Sequence, residues 1–512
     1  MAFERPGVYV QETLNPSQST TGLSSDTIGA FVGPNDRGPI TPTLVTSWSD
    51  YVNKFGSWNV TASNDLALAV YMFFANGGRQ AYVNRVVGSG AASATRTLLD
   101  RAGSPQSTLT LTAANPGVWS VNSGAYYGVS FSITDSIIAG YFDLTIYFGG
   151  ITAPYVVEKF TDLSMTATDA RYAPSVINAG SRYITATAVT GNTSTGATKN
   201  PALIAVASGS LSSGNDGTAV TSVISYSAFD TIRNPLLLNV AGFTDATTVN
   251  AAIAYAVSRG DIFVIVDGKV AADGTDDSVA NQLSLAATYT TTSYAAVYYP
   301  RVTISDPTRG TGSATGATKL IGQGGAVAGL FVSTDNSRGV FKAPAGLQSR
   351  IAGAVSVTPL TNANLDSLNS ASAPVNAIKF VPGSGIVVMG ARTLDPAYVS
   401  RYVPVRRTLI YLEKALSDLT QFAIFEPNDP ALWRRLRSTV SSFLTNFWSQ
   451  GGLRGVTPSQ AFFVKIDDTN NPQATIDNGE VHIEIGVALQ RPAEFVVIKI
   501  GQFDGGTTVT VA

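Results

Sequence analysis

The chain has 512 residues, 44% of them hydrophobic and only 13% charged, about half the ~25% usual in soluble domains. Lys plus Arg number 33 against 35 Asp plus Glu, a formal net charge of −2, which removes any overall electrostatic drive toward nucleic acid or an anionic membrane. With no cysteine and a single histidine, His482, disulfides, thiolate nucleophiles and zinc sites built on Cys or several His are excluded.

At roughly 150 residues per domain, the length predicts three or four domains. So low a charge leaves a monomer little protection against association. Two readings follow: a surface largely covered by other protein, or a Gly/Ser/Thr/Ala-rich β protein with an uncharged polar surface. No apolar run reaches the ~18 residues of a membrane span, and Met1 to Pro6 lacks the regions of a signal peptide. Synthesis in a cytoplasm, with no membrane and no nucleic acid as partner, is therefore expected.

Pro6 to Glu12 reads as a short strand after a turn, and Asn15 to Ser25 as a polar, flexible connector. Ile28 to Gly33 has a buried-strand pattern. Asn64 or Asp65 caps a helix carrying Leu66, Val70, Phe73 and Phe74 on one face, Gly77-Gly78 ends it, and Gln80 to Val87 is the next strand. Strand, helix, strand is the grammar of an α/β sheet. From about Gly88 to Asn215 that grammar lapses into short strands at Thr108 to Thr112, Val129 to Ile133, Phe142 to Phe148 and Tyr183 to Ala188, which predicts an inserted all-β module.

The α/β pattern resumes with strands at Leu236 to Val240, Asp261 to Asp267 and Tyr294 to Tyr299, and a helix at Val249 to Val257. Gly310 to Gly316 is a loop. After Pro404, residues Val405, Leu409, Leu412, Leu416 and Leu419 keep the spacing of one buried helix face. Asp429 as N-cap and Pro430 at the first position open a second helix, with Trp433, Leu436, Val440, Phe443, Leu444 and Phe447 as its stripe. Strands are expected at Val481 to Val487, Phe495 to Ile500 and, after a Gly hinge, in the tail.

The fold class is thus multidomain α/β: an α/β core with an inserted all-β module, and an α+β C-terminal domain completed by terminal strands. The expected boundaries are 1–25 for an N-terminal strand arm and linker, 26–88 and 216–375 for the two parts of the α/β domain, 89–215 for the insertion, 376–501 for the C-terminal domain and 502–512 for a C-terminal strand arm.

Motifs for chemistry fail one by one. The Gly268-Lys269 pair is followed by Val270, so no P-loop hydroxyl is present for magnesium. No G-x-S-x-G elbow occurs. Gly310-Thr311-Gly312 lacks the third glycine of a dinucleotide turn. Asp273, Asp276 and Asp277, and Asp467 with Asp468, are acidic clusters without EF-hand order, and read as solvated turns. His482 falls on the polar face of the alternating run Val481 to Val487. No cofactor, metal or catalytic residue is expected, and the chain is not expected to be an enzyme.

Two features remain. The segments Val8 to Glu12 and Thr507 to Val511 are strand-like and lie at the extreme ends. Each is either an edge strand of the chain's own sheet, or a strand donated to a neighbour's sheet through Val8, Tyr9, Val10 and Gln11, and Thr508, Val509, Thr510 and Val511. Then Arg434, Arg435 and Arg437 sit in the first turns of the capped helix, against its macrodipole, with nothing acidic following in that helix. They either reach Glu426 and Asp429 or face an acidic partner.

These residues also carry a resemblance. Pro6-Gly7-Val8-Tyr9-Val10 looks like the opening of the contractile tail sheath proteins of bacteriophages and related injection systems. AVAGLFVSTDNSRGVFKAP, from Ala326 to Pro344, is similar to their central motif, and NAIKFVPGSGIVVMGAR with Thr393 and Leu394 to their Gly-rich turn. The longest stretch, Arg406 to Ile500, includes RRTLIYLEKAL, FEPNDPALWRRLRSTVSSFLTNFWSQGGLRG, PSQAFFVKIDD and RPAEFVVIKI. The resemblance implies a homo-oligomer of hexameric rings stacked around a tail tube, with tube, baseplate and tail terminator proteins as partners. Its place would be the virion tail, after assembly in the host cytoplasm. It also implies that the terminal strands interlock neighbouring subunits and that the helix from Asp429 faces the tube. A carbohydrate-binding virion surface protein, using the Tyr-rich β module, is the competing expectation.

Overall fold

The computed structural model describes residues 27–59, 63–121, 128–149, 155–218, 225–308 and 317–494, with the backbone of two further short strands, Phe503–Asp504 and Thr507–Thr508. These residues fall into two compact units. One holds Asp26–Ser333 and Ala345–Pro396; the other holds Thr334–Pro344 and the chain from Ala397 onward.

The first unit is organised by an eight-stranded sheet. Its order is Gly385–Val388, Val375–Val381, Ala295–Tyr299, Ile262–Val266, Leu236–Val240, Ile28–Pro34, Ala81–Val86, Thr43–Val45. The six inner strands are parallel and the strand at each edge is antiparallel. Leu236–Val240, Ile262–Val266 and Ala295–Tyr299 are buried at every position, the unbroken apolar pattern of strands covered on both faces. Helices Asp65–Ala75, Ala246–Arg259, Val279–Ala286, Gly324–Arg338 and Asn362–Ser370 occur between these strands along the chain. Val375–Val381 pairs in parallel with Ala295–Tyr299 and antiparallel with Gly385–Val388, and the chain through Pro396 stays in this unit. The C-terminal unit accordingly begins near Ala397 and not at 376.

In open α/β sheets, ligands bind beyond the carboxyl ends of the strands. Here that region is occupied by the protein's own groups. Asp267 is buried, and its carboxylate accepts from the Gly324 N–H at 2.6 Å, at the start of helix Gly324–Arg338. Burial pushes its carboxyl above the usual range, against the opposing pull of Arg301 and that N–H. The Asn239 amide donates to Ile265 O at 2.9 Å. A Cβ at Gly324 would lie 2.2 Å from Asn239 Nδ2, so the backbone approaches closely enough that only glycine fits.

The insertion leaves after Val86 and returns near Thr218. Its two ends run side by side, with Gly88 N–H donating to Asp216 O at 2.8 Å and Thr218 N–H to Ser89 O at 3.0 Å. Two three-stranded sheets share one core: Thr95–Leu99, Ser107–Ala113 and Ile184–Ala188 in one, Val129–Asp135, Phe142–Phe148 and Tyr155–Leu163 in the other. The expected all-β module also contains a helix, Ala173–Gly180, whose Ala173, Pro174 and Ile177 are buried. Arg85 ties the insertion to the sheet. Its guanidinium donates to Asn35 O at 2.5 Å and Pro116 O at 2.7 Å, and lies 3.4 Å from Asp216 Oδ1.

The second unit packs helices Val403–Thr420 and Pro430–Ser449 with the two-stranded sheet Phe462–Lys465 and Glu484–Val487. Val340 and Phe341, from the short segment 334–344, join Tyr411, Leu412, Val440, Leu444 and Phe447 in its core. The first helix differs from its sequence pattern. Val405 and Leu412 are buried, but Leu409, Leu416 and Leu419 are only half-buried. Arg406, Arg407, Ile410 and Tyr411 are buried instead, and Arg407 forms a bidentate ion pair with Asp335 at 2.9 and 2.5 Å. The strand expected from Val481 begins only at Glu484. Around His482, the side-chain amide of Asn471 takes the backbone bonds that a neighbouring strand would supply. His482 is exposed, and its ring stands 2.9 Å from Glu480.

Candidate interaction surface

Helix Pro430–Ser449 starts as its sequence dictates. The Asp429 carboxylate accepts from the Ala431 and Leu432 N–H groups at 2.9 and 2.8 Å, and Pro430 follows at the first turn. The stripe Trp433, Leu436, Val440, Phe443, Leu444 and Phe447 is buried. That orientation leaves Arg434, Arg435 and Arg437 exposed, on a face continued by Ser438, Ser442, Thr445 and Asn446. These uncharged side chains are short, so another surface can approach closely.

The intramolecular alternative for the arginines is not taken. The Asp429 carboxylate is spent on the helix cap, and among the described residues none of the three arginines forms an ion pair with Glu426 or Asp429. Arg435 lies 4.3 Å above the Phe422 ring, a cation–π contact. Arg437 donates to the Ile466 carbonyl. Arg434 has no hydrogen-bonding or ionic partner among the described residues.

The connector between the two helices adds a residue that the sequence does not single out. Phe425 is 87% exposed and has φ of +67°. Nothing in a Phe-Glu-Pro-Asn run signals a left-handed Phe, because the conformation follows from how the two helices are joined.

The two-stranded sheet Phe462–Lys465 and Glu484–Val487 has one face against the core, through Phe462, Val464, Ile485 and Val487. Among the described residues neither outer edge has a ladder partner. Val8, Tyr9, Val10 and Gln11, the connector 15–25, the loop 310–316, the expected strand 495–500, and Val509, Thr510 and Val511 lie outside the described residues. Thr508 lies in Thr507–Thr508, which pairs antiparallel with Phe503–Asp504. The acidic clusters serve turns: Asp273 accepts from Thr275, Asp467 from Thr469, and Asp276 from the Arg301 N–H and the Thr358 hydroxyl.

Residues 397–502 match the family model of the phage tail sheath C-terminal domain. Other similarities extend to a curated tail sheath protein and to solved sheath structures. The tail sheath protein of Vibrio phage KVP40 is 30% identical over 178 residues, 34% of this chain, and the match spans a quarter (25%) of that relative's length. The sheath of the extracellular contractile injection system PVC, in its contracted state, has the same fold with a TM-score of 0.57 at 22% identity, covering 98% of this chain and 99% of that one. The contracted helical sheath of the anti-feeding prophage gives 0.55 at 20% identity over 98% and 100%. A sheath tail protein from Listeria innocua gives 0.56 at 14% identity over 92% and 96%. The named relatives are structural sheath proteins.

Proposed function

We propose that this chain is the structural subunit of a contractile tail sheath. Copies polymerise as stacked hexameric rings around a tail tube, between a baseplate and a tail terminator, and contraction drives the tube through the target cell envelope. The observation that carries this reading is the sheath C-terminal domain at residues 397–502, within a chain whose fold follows sheath subunits almost end to end. The particle is a virion tail or a related injector, assembled in the host cytoplasm.

The two-stranded sheet gives strand exchange a physical basis. A two-stranded sheet is marginal by itself, and among the described residues neither outer edge has a ladder partner; alternate residues of a four-residue antiparallel edge point outward, so an edge offers at most about four backbone groups. At ~1 kcal/mol net per hydrogen bond, a strand donated to one edge contributes roughly 4 kcal/mol before ordering costs. Residues 8–11 and 508–511 are the donors in this reading, and the helix carrying Arg434, Arg435 and Arg437 faces the tube. No nucleotide is needed, because energy is stored in the extended lattice at assembly. Few charges suit a lattice whose subunits must close on one another.

Deletion of residues 1–14 or of 503–512 is expected to leave a folded monomer that forms no tubes in negative-stain microscopy. Normal tubes from either truncated protein would refute strand exchange.

A further inference from the structure

An asparagine followed by glycine is the one whose amide is most open to attack by its own backbone, because glycine sets no Cβ beside the attacking nitrogen and leaves it free to swing. The sequence holds two such pairs, Asn76-Gly77 and Asn478-Gly479, and the fold treats them in opposite ways.

Asn76 is buried and locked. Its Nδ2 donates to Met72 O at 2.9 Å and to Ala352 O at 3.3 Å, and its Oδ1 accepts from the Ala352 N–H at 2.7 Å. Turning that amide toward the Gly77 nitrogen would break all three bonds in an interior with no water to replace them. Gly77 has no room to help, since a Cβ there would lie 2.8 Å from Ser333 Cβ.

Asn478 has none of these restraints. It is exposed, and its side-chain amide has no hydrogen-bonding partner among the described residues. It caps a helix of only five residues, Gln473–Asp477. Gly479 then turns with φ of +74° into open space, with nothing within 4 Å of where a Cβ would stand. One bond restrains the attacking nitrogen, from the Gly479 N–H to Ile476 O at 2.9 Å. It lies at the end of a short exposed helix, where backbone bonds open most readily.

We propose that Asn478 is a self-modification site, converted in the native chain to aspartate and isoaspartate while Asn76 remains an amide. The Gly479 nitrogen, its proton taken by hydroxide, attacks Asn478 Cγ and expels the side-chain nitrogen as ammonia, which closes a succinimide ring. Water opens the ring at either carbonyl. Attack at Cγ restores the main chain with an aspartate, and attack at the α-carbonyl leaves the chain running through the β-carboxyl. Overall one water is consumed and one ammonia released. The turn carries more than itself: Glu480 O accepts from Asn428 Nδ2 at 2.9 Å, and Ile476 and Val481 pack against Leu432, Trp433 and Leu436. Isoaspartate threads an extra methylene into the main chain between these contacts.

The test incubates the full chain in mildly alkaline buffer, folded and in urea, and maps both peptides by mass spectrometry. In urea both are expected to gain the mass increment of amide-to-acid conversion. In the folded chain only the Asn478 peptide should gain it, within about tenfold of its rate in urea, since a single hydrogen bond restrains it. Conversion of Asn478 in urea but not in the folded chain would show that this bond is enough to protect it, and would overturn the proposal. Equal conversion of Asn76 in the folded chain would overturn the contrast on which it stands. Asn478→Gln, whose longer side chain cannot close the five-membered ring, should abolish the increment. An increment that persists in this variant would place the change on Asn470 or Asn471 and refute the assignment.

Discussion

Arg85 is the point at which the inserted module is fastened, and its removal has a calculable effect. The side chain is buried at 1% exposure and donates short bonds to the carbonyls of Asn35 and Pro116. Hydrogen bonds from a charged donor contribute ~1.5–3 kcal/mol each, so the two together are worth roughly 3–6 kcal/mol. Asp216 adds little, because its carboxylate is 3.4 Å away and 43% exposed. Burial has drawn the guanidinium's pKa down to about 10, partly countered by Asp216 and Asp36, and removing the cation recovers that desolvation cost. Arg85→Met is therefore expected to destabilise the attachment by a net ~3 kcal/mol. Hydrogen exchange reads this directly. Amides of Thr95–Leu99 and Ser107–Ala113 should lose about a hundredfold in protection, while Leu236–Val240 in the central sheet keeps its own. Arg85→Lys, a charge without the planar fork, should fall between. Unchanged protection in the insertion, or a loss shared equally by the central strands, would refute the argument.

Asp100 gives the insertion an acid limit. Burial pushes its carboxyl up, but bonds from the Gln106 and Ala102 N–H groups, the Ser194 hydroxyl and the Asn192 amide outweigh it and hold the pKa at about 2. A carboxylate depressed on folding stabilises above its unfolded pKa, and that stability is lost as pH falls from about 4 through about 2. Asp100→Asn is expected to flatten the acid side of the melting-temperature curve over that window. Asp429→Ala removes the acceptor for two N–H groups and should cost helix Pro430–Ser449 about 1 kcal/mol, seen as faster exchange in its first two turns.

Much of the large sheet was legible because its strands are short apolar runs bounded by turn residues, as in Leu236–Val240 and Ile262–Val266. The helix from Asp429 was legible down to its cap, since one carboxylate, one proline and a regular stripe all point to the same register. Tertiary partners defeated the reading elsewhere. Nothing in the sequence connects Arg407 with Asp335, some seventy residues earlier, with which it forms a buried ion pair. The helix Ala173–Gly180 is only eight residues long, too short for periodicity to separate it from a strand. Val481 to Ile483 alternates like a strand, yet asparagine side chains take its backbone partners. Phe425 could not be found at all, because nothing in its composition announces a positive φ.

The arginine helix and the small sheet make different demands on an assembly. Under the proposed strand exchange, backbone ladders added at the edges of Phe462–Lys465 and Glu484–Val487 would depend on register, not on side-chain identity, and would form along the strand together. Such contacts hold while neighbouring bodies rotate, provided the connecting chain can bend. Contacts through exposed arginines are few, local and screened by salt. A polymer built from both would keep its strand links through a large rearrangement and release its arginine face first. Rising ionic strength should therefore loosen sheath from tube before it separates sheath subunits from one another. Co-sedimentation of sheath and tube across a salt series, with electron microscopy of the tube-free polymer, measures the two thresholds. Subunits that disperse at lower salt than the tube is released would invert the order and contradict the assignment of strands and arginines to these roles.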